Sequence, residues 1–231
     1  MRTFDIILIS LLIVLIVVNI AFISLKPVEK ETTKKVTNFT TSGIILDSKP
    51  NLPSYLPNSD FIFSKSAWLS NENIPPGLPE VVVEQTFGWK SNGYVEMDEK
   101  PDGRAGIVIL HPVSENMPRY IETKEFVLPS SGYILIGFAN LAGKLSYAGD
   151  GNADNLFKVY VIDSNTGFRI KIDEFVISPE DGWKDIAYPI SEIAKDLSGK
   201  KVKIRVEGWA GGPKNLWWGE WGAIDYIDVI S

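Results

Sequence analysis

Apolar and polar positions divide this chain into three stretches of different character. Ile6 to Leu25 reads IILISLLIVLIVVNIAFISL, an apolar run interrupted only by Ser10, Asn19 and Ser24, with no Gly or Pro. A helix rises about 1.5 Å per residue, so a run of this length spans roughly 30 Å, the thickness of a bilayer's hydrocarbon core. The run has no polar face, which sets it apart from a helix packed on a soluble core. It is longer than the roughly 7–15 residues of a signal-peptide core, and the pairs Ala21/Ile23 and Phe22/Ser24 lack a small-x-small cleavage pattern. The expectation is a retained single-pass transmembrane anchor over residues 1–25.

Residues 26–60 lose the apolar run altogether. The segment is rich in Thr, Lys, Ser and Pro, and its one apolar cluster is Ile45-Leu46. Such a composition buries too little surface to offset its ordering entropy, so a polar stalk is expected. It also holds the sequon Asn38-Phe39-Thr40.

From residue 61 onward the pattern changes to short runs separated by turn residues. Candidate strands are Val81–Phe87, Ala105–Leu110, Tyr120–Leu128, Tyr133–Phe138, Leu156–Ile162, Phe168–Ile177, Lys201–Val206 and Ala223–Ile230. Several alternate with period two: Phe157-Val159-Val161 against Lys158-Tyr160, and Val202-Ile204-Val206 against Lys201-Lys203-Arg205. This alternation buries one face and leaves the other to solvent or to a second layer. Gly, Asn, Asp and Pro cluster at 101–103, 129–132, 149–155 and 163–167, between the runs. One short helix is expected, N-capped by Ser191 and stopped at Gly199. The pattern predicts an all-β, antiparallel sandwich over residues 61–231.

Charge and composition narrow the functions this domain can have. The chain carries 23 basic and 29 acidic residues. Residues 1–35 hold five of the former and three of the latter, so the remainder is acidic, 18 against 26. An acidic surface repels phosphate backbones, which argues against nucleic acid as a partner. The chain has no cysteine, so disulfides, thiolate metal sites and cysteine nucleophiles are excluded. Its single histidine, His111, stands before Pro112 at a strand end and reads as a strand-edge residue rather than a catalytic base. Acid pairs for glycoside hydrolysis cannot be picked out by spacing among so many carboxylates, so the expectation is that the chain is not an enzyme, and no catalytic residue is assigned.

Two stretches stand out chemically. Asp150-Gly151-Asn152-Ala153-Asp154-Asn155 alternates oxygen-bearing side chains as a calcium loop does. It departs from the EF-hand pattern, with Asn155 at the sixth position and Val161 at the twelfth. An Asx-rich turn and a different cation or ligand loop both remain open. The second stretch runs from Trp209 to Trp221 and holds four of the chain's seven tryptophans among Gly208, Gly211, Gly212, Pro213, Gly219 and Gly222. Aromatic faces stack on the apolar faces of sugar rings, and Glu220, Lys214 and Asn215 could bond hydroxyls. A plug at the end of the sandwich is the alternative. The candidate ligand-binding residues are Trp209, Trp217, Trp218, Glu220 and Trp221.

The closing third carries a family resemblance. Asp181-Gly182-Trp183-Lys184-Asp185, then Gly199-Lys200-Lys201-Val202-Lys203-Ile204-Arg205-Val206-Glu207, the aromatic loop, and Ala223-Ile224-Asp225-Tyr226-Ile227-Asp228-Val229 follow in order. From about Glu80 onward the chain resembles the galactose-binding-like jelly-roll superfamily, which includes many carbohydrate-binding modules. The resemblance implies a jelly roll. It also implies a structural calcium ion held by an acid of the last strand, here Asp225, with an early acid for which Glu84 is a looser match.

The functional expectation is a membrane-anchored cell-surface module that binds a glycan through its aromatic loop. An assembly subunit that binds surface proteins and an anchored glycan-active hydrolase are the rivals. Orientation is divided: Lys26, Lys30, Lys34 and Lys35 against Arg2 favour a cytoplasmic domain by the positive-inside rule, whereas the stalk and sandwich favour the outside, which is the expectation adopted.

Overall fold

The computed structural model describes residues 41–49, 56, 89–91, 94–96, 101–104, 106–112, 114–145, 153–211 and 220–231. The anchor run, the sequon, the candidate strand Val81–Phe87 and Glu84 lie outside the described residues. So do Asp150, Asn152, Trp217 and Trp218. No helix among the described residues is long and apolar enough to cross a membrane.

Two antiparallel sheets make up the described fold. The strands are β1 (Ile44–Leu46), β2 (Trp89–Ser91), β3 (Tyr94–Glu96), β4 (Ile107–Ile109), β5 (Arg119–Thr123) and β6 (Phe126–Val127). They continue as β7 (Tyr133–Asn140), β8 (Asn155–Asp163), β9 (Arg169–Ile177), β10 (Lys184–Pro189), β11 (Lys201–Ala210) and β12 (Gly222–Ile230). The first sheet is ordered β1-β10-β7-β12-β4-β3, and the second β2-β5-β11-β8-β9, with β6 also paired to β11.

Period-two alternation explains how the sheets meet. Ile134, Ile136 and Phe138 of β7 face Phe157, Val159 and Val161 of β8 and Val202, Ile204 and Val206 of β11, all fully buried. At the centre, the Phe138 ring lies edge-on to Phe157 at 5.2 Å and to Phe175 at 4.9 Å. Gly132 opens β7 with φ +95°, and a Cβ there would stand 1.9 Å from the carbonyl oxygen of Ile230, so only glycine fits.

The sandwich departs from the sequence-based expectation in four places. The strand β10 was not among the candidates: Lys184-Asp185-Ile186-Ala187-Tyr188-Pro189 begins charged and ends at proline. It nonetheless pairs with both β7 and β1. The expected strand Tyr120–Leu128 is split into β5 and β6 around exposed Lys124 and Glu125.

The expected helix is one α turn, α1 (Ile190–Ile193), with Pro189 rather than Ser191 at its N-cap position and no side-chain capping bond, followed by a 3-10 turn at Lys195–Leu197. Its apolar residues Ile190, Ala194 and Leu197 all plug the core. Backbone bonds from Ile190 N to the Gly132 carbonyl (3.0 Å) and from Gly199 N to the Leu128 carbonyl (2.9 Å) fasten both its ends to the sandwich.

The fourth departure concerns the stalk. Its Ile44–Leu46 pairs with β10 as an edge strand, and Leu56 joins the core. Just before β1, Thr41 Oγ1 donates to Asp173, Ser42 N donates to the same carboxylate at 3.3 Å, and Ser42 Oγ donates to the Ile172 carbonyl at 2.6 Å. The sandwich therefore begins upstream of residue 61.

The aromatic centre should dominate stability. Phe157→Ala is expected to cost about 3–5 kcal/mol, read as a lower midpoint in urea unfolding with an unchanged m value.

Candidate functional site

The strands β11 and β12 flank the tryptophan-rich stretch: β11 ends at Ala210 and β12 begins at Gly222. Trp209, Glu220 and Trp221 are described, and the structure places the three in different environments.

Trp209 lies on the outer face of the second sheet. Because Val202, Ile204 and Val206 of β11 point into the core, Lys203, Arg205, Glu207 and Trp209 point out. Register sets their neighbours. Glu207 stands between Tyr120 of β5 and Lys158 of β8, and Arg205 stands between Glu122 and Tyr160.

Arg205 Nε donates to Glu122 Oε2 at 2.7 Å, and its guanidinium lies 3.9 Å from the centre of the Tyr120 ring. The half-buried Trp209 donates from Nε1 to Glu207 Oε2 at 2.8 Å, while Lys158 Nζ sits 4.5 Å over its ring. Burial, reinforced by the Glu207 charge, pushes the Tyr160 hydroxyl above its ordinary range. Hydrogen bond and cation together hold the indole in one orientation beside charged donors and acceptors. Sequence reading assigned Trp209 but not Lys158, Tyr160, Glu207 or Arg205, although the alternation of β11 already placed Arg205, Glu207 and Trp209 on one face.

Trp221 sits elsewhere. Half-buried, it packs on a small cluster of Ile107, Ile109, Ala139, Leu141, Leu145 and Ala223 on the first sheet. Its ring meets His111 edge-on at 4.4 Å. His111 also has Nδ1 2.7 Å from the carbonyl oxygen of Pro112. Here the aromatic residue closes a satellite core.

Glu220 is fully buried. Its Oε1 accepts from Gly211 N at 2.8 Å, and Oε2 has no partner. Burial, with Asp154 adding repulsion, raises its carboxyl to a pKa of about 8.

The acid expected to hold calcium, Asp225, lies at a bulge of β12 and is 1% exposed. Protein cations hold it: Arg104 Nη1 donates to its Oδ2 at 3.0 Å, and Lys49 Nζ is 3.5 Å away. Arg104 also grips Asp185 through both terminal nitrogens, at 2.8 and 2.7 Å, and Tyr226 OH donates to the same carboxylate at 3.0 Å. Burial still leaves the Asp225 carboxyl above its ordinary range, against the pull of Lys49 and Arg104. Gly137 makes room for this network, since a Cβ there would come within 2.7 Å of the Tyr226 ring. A metal ion at Asp225 would have to displace two cations, so the residues described there do not fit one. Among the described residues no group of three or more His, Cys, Asp or Glu side chains is placed to hold a metal.

No protein-family description matches the chain, and no curated relative matches it. Among solved structures it is similar to the K3 cleaved adhesin domain of Lys-gingipain from Porphyromonas gingivalis, with 14% identity, 54% of this chain and 73% of that chain covered, and a TM-score of 0.39. It is also similar to TmCBM61 in complex with β-1,4-galactotriose, with 16% identity, coverage of 78% and 99%, and a TM-score of 0.36. A third similarity is to the CBM22-2 xylan-binding domain from Paenibacillus barcinonensis Xyn10C, with 11% identity, coverage of 62% and 91%, and a TM-score of 0.31.

The Arg104 network yields a stability test. Arg104→Gln would leave Asp185 and Asp225 buried without their guanidinium. It is expected to cost about 3–5 kcal/mol, the scale for removing one partner of a buried ion pair, measured by chemical denaturation at neutral pH.

Proposed function

We propose that this chain is a membrane-tethered jelly-roll module that binds a neutral or weakly charged glycan on the outer face of the second sheet, around Trp209. The observation that carries the reading is the fixing of one half-buried indole by Glu207 and Lys158, on a sheet face lined with hydrogen-bonding groups. A tryptophan kept at a surface and fixed in orientation is suited to stack on a ring ligand, because its entropy of ordering is already lost before binding. The passage of the chain between the two sheets supports the jelly-roll reading: β7 and β12 lie in one sheet, while β8 and β11 lie in the other. Tethering rests on the apolar run from Ile6 to Leu25, and the adopted orientation places the sandwich outside the cell.

Binding is tested with a glycan array on the full chain, followed by calorimetry on the best ligand. Trp209→Ala should weaken that binding by about 1–3 kcal/mol, the scale of an aromatic anchor, with little change in Tm. Unchanged affinity would move the site off this face, and a blank array together with capture of a defined surface protein would favour the assembly role.

Orientation has its own test. Protease added to intact cells should remove the sandwich and leave the anchor. Protection until lysis would put the domain in the cytoplasm.

A further inference from the structure

We propose that the glycan taken by the Trp209 face is acidic, with the carboxylate of a uronic acid received by Lys158 and Arg169. The inference rests on the glycan-binding reading of that face and names the ligand class within it.

Charge on this face runs against the rest of the domain. Residues 36–231 hold 18 basic and 26 acidic side chains. Around Trp209 the balance is reversed, with Lys158, Arg169, Lys203 and Arg205 set against Glu122 and Glu207. Farther out on the same face, Lys171 pairs with Glu174 and Lys201 with Glu125, one for one. The two inner acids are also the deeper groups. The side chains of Glu122 and Glu207 are 7% and 8% exposed, whereas those of Lys203 and Arg169 are 30% and 51% exposed. A ligand approaching this face meets cations first.

Geometry gathers these groups on one indole. Glu207 accepts from Trp209 Nε1 at 2.8 Å, with Arg205 Nη1 at 3.7 Å and Arg169 Nη1 at 4.0 Å. Arg205 is committed elsewhere, donating to Glu122 at 2.7 Å. Arg169 has only its one long contact with Glu207 as an ion pair among the described residues. Lys158 is in no ion pair among them. Its Nζ stands 4.5 Å over the Trp209 ring, and its cross-strand neighbour Glu174 already carries Lys171.

This placement discriminates between sugars. A pyranose that stacks on the covered face of the indole must move the Lys158 ammonium aside. A neutral sugar takes away that cation–π contact and returns no charge to the ammonium. A uronic acid carries its carboxylate at the edge of the ring, where the displaced ammonium can engage it. Arg169 lies on the Glu207 side, next to the indole edge that Nε1 marks. Its planar guanidinium matches a planar carboxylate in two parallel bonds.

The test screens the full chain on an array of oligosaccharides that each carry one uronic acid. Their methyl esters, carboxyl-reduced forms and sulfated counterparts are printed beside them. A uronate should give the strongest signal. In calorimetry its ester should bind roughly tenfold or more weakly, the scale of a hydrogen bond to a charged group. Affinity for the acid should also fall between about 0.05 and 0.5 M salt. Lys158→Gln and Arg169→Gln should each bring the acid down towards its ester without lowering Tm. Trp209→Ala should weaken both forms, and Lys195→Gln, at an exposed lysine in the turn after α1, should change neither. Neutral glycans bound as tightly as acidic ones would overturn the charge assignment and leave the glycan reading standing. A stronger signal from the sulfates would overturn it as well, and so would an acid preference that persists in the chain carrying both Lys158→Gln and Arg169→Gln. A blank array would overturn the glycan reading itself, and this inference with it.

Discussion

Removing carboxylates from water is the constraint around which this sandwich is arranged. Eight acids are buried among the described residues, and a carboxylate taken from water needs partners where it lies. Arg104 serves two of them from a short loop before β4, bringing β10 and β12 under one guanidinium. Glu122 and Arg205 join β5 to β11 on the opposite face. Asp163 caps its own turn through the nitrogens of Asn165 and Thr166, at 2.9 and 3.2 Å, which pulls its carboxyl below the ordinary range. Asp173 collects partners from Thr41, Ser42 and Tyr188, so a β9 residue gathers the segment before β1 and β10 around it. The apolar alternation builds the layers, and the acids determine which loops and edges are fastened to them.

That division also explains what could be read from the sequence. Strands with clean alternation, such as β8 and β11, were legible because side-chain direction follows directly from period two. The strand β10 was not, because Asp185 looks like a turn residue until Arg104 lies against it, 81 residues away in sequence. Ile44–Leu46 is too short to declare itself and becomes a strand only through its partner β10. For the site, the outward row of β11 was legible as a row. The partner of Asp225 was hidden, since Arg104 stands 121 residues away, and nothing local distinguishes an acid awaiting a metal from one awaiting an arginine.

The tryptophan-rich stretch shows why composition alone misleads about a site. Its two described indoles do opposite things. Trp209 is held at the surface of the second sheet by a hydrogen bond and a cation, whereas Trp221 is spent covering Ile107, Ile109 and Leu145 on the first. Two tryptophans close in sequence are therefore divided between the two layers.

The contacts of Thr41 and Ser42 have a mechanical meaning. Any tension arriving along the polar segment enters at Thr41 and Ser42, which bond Asp173 and Ile172 of the second sheet. It then meets β1, which bonds the first sheet through β10. Load is thus shared between both layers before it reaches the phenylalanine centre.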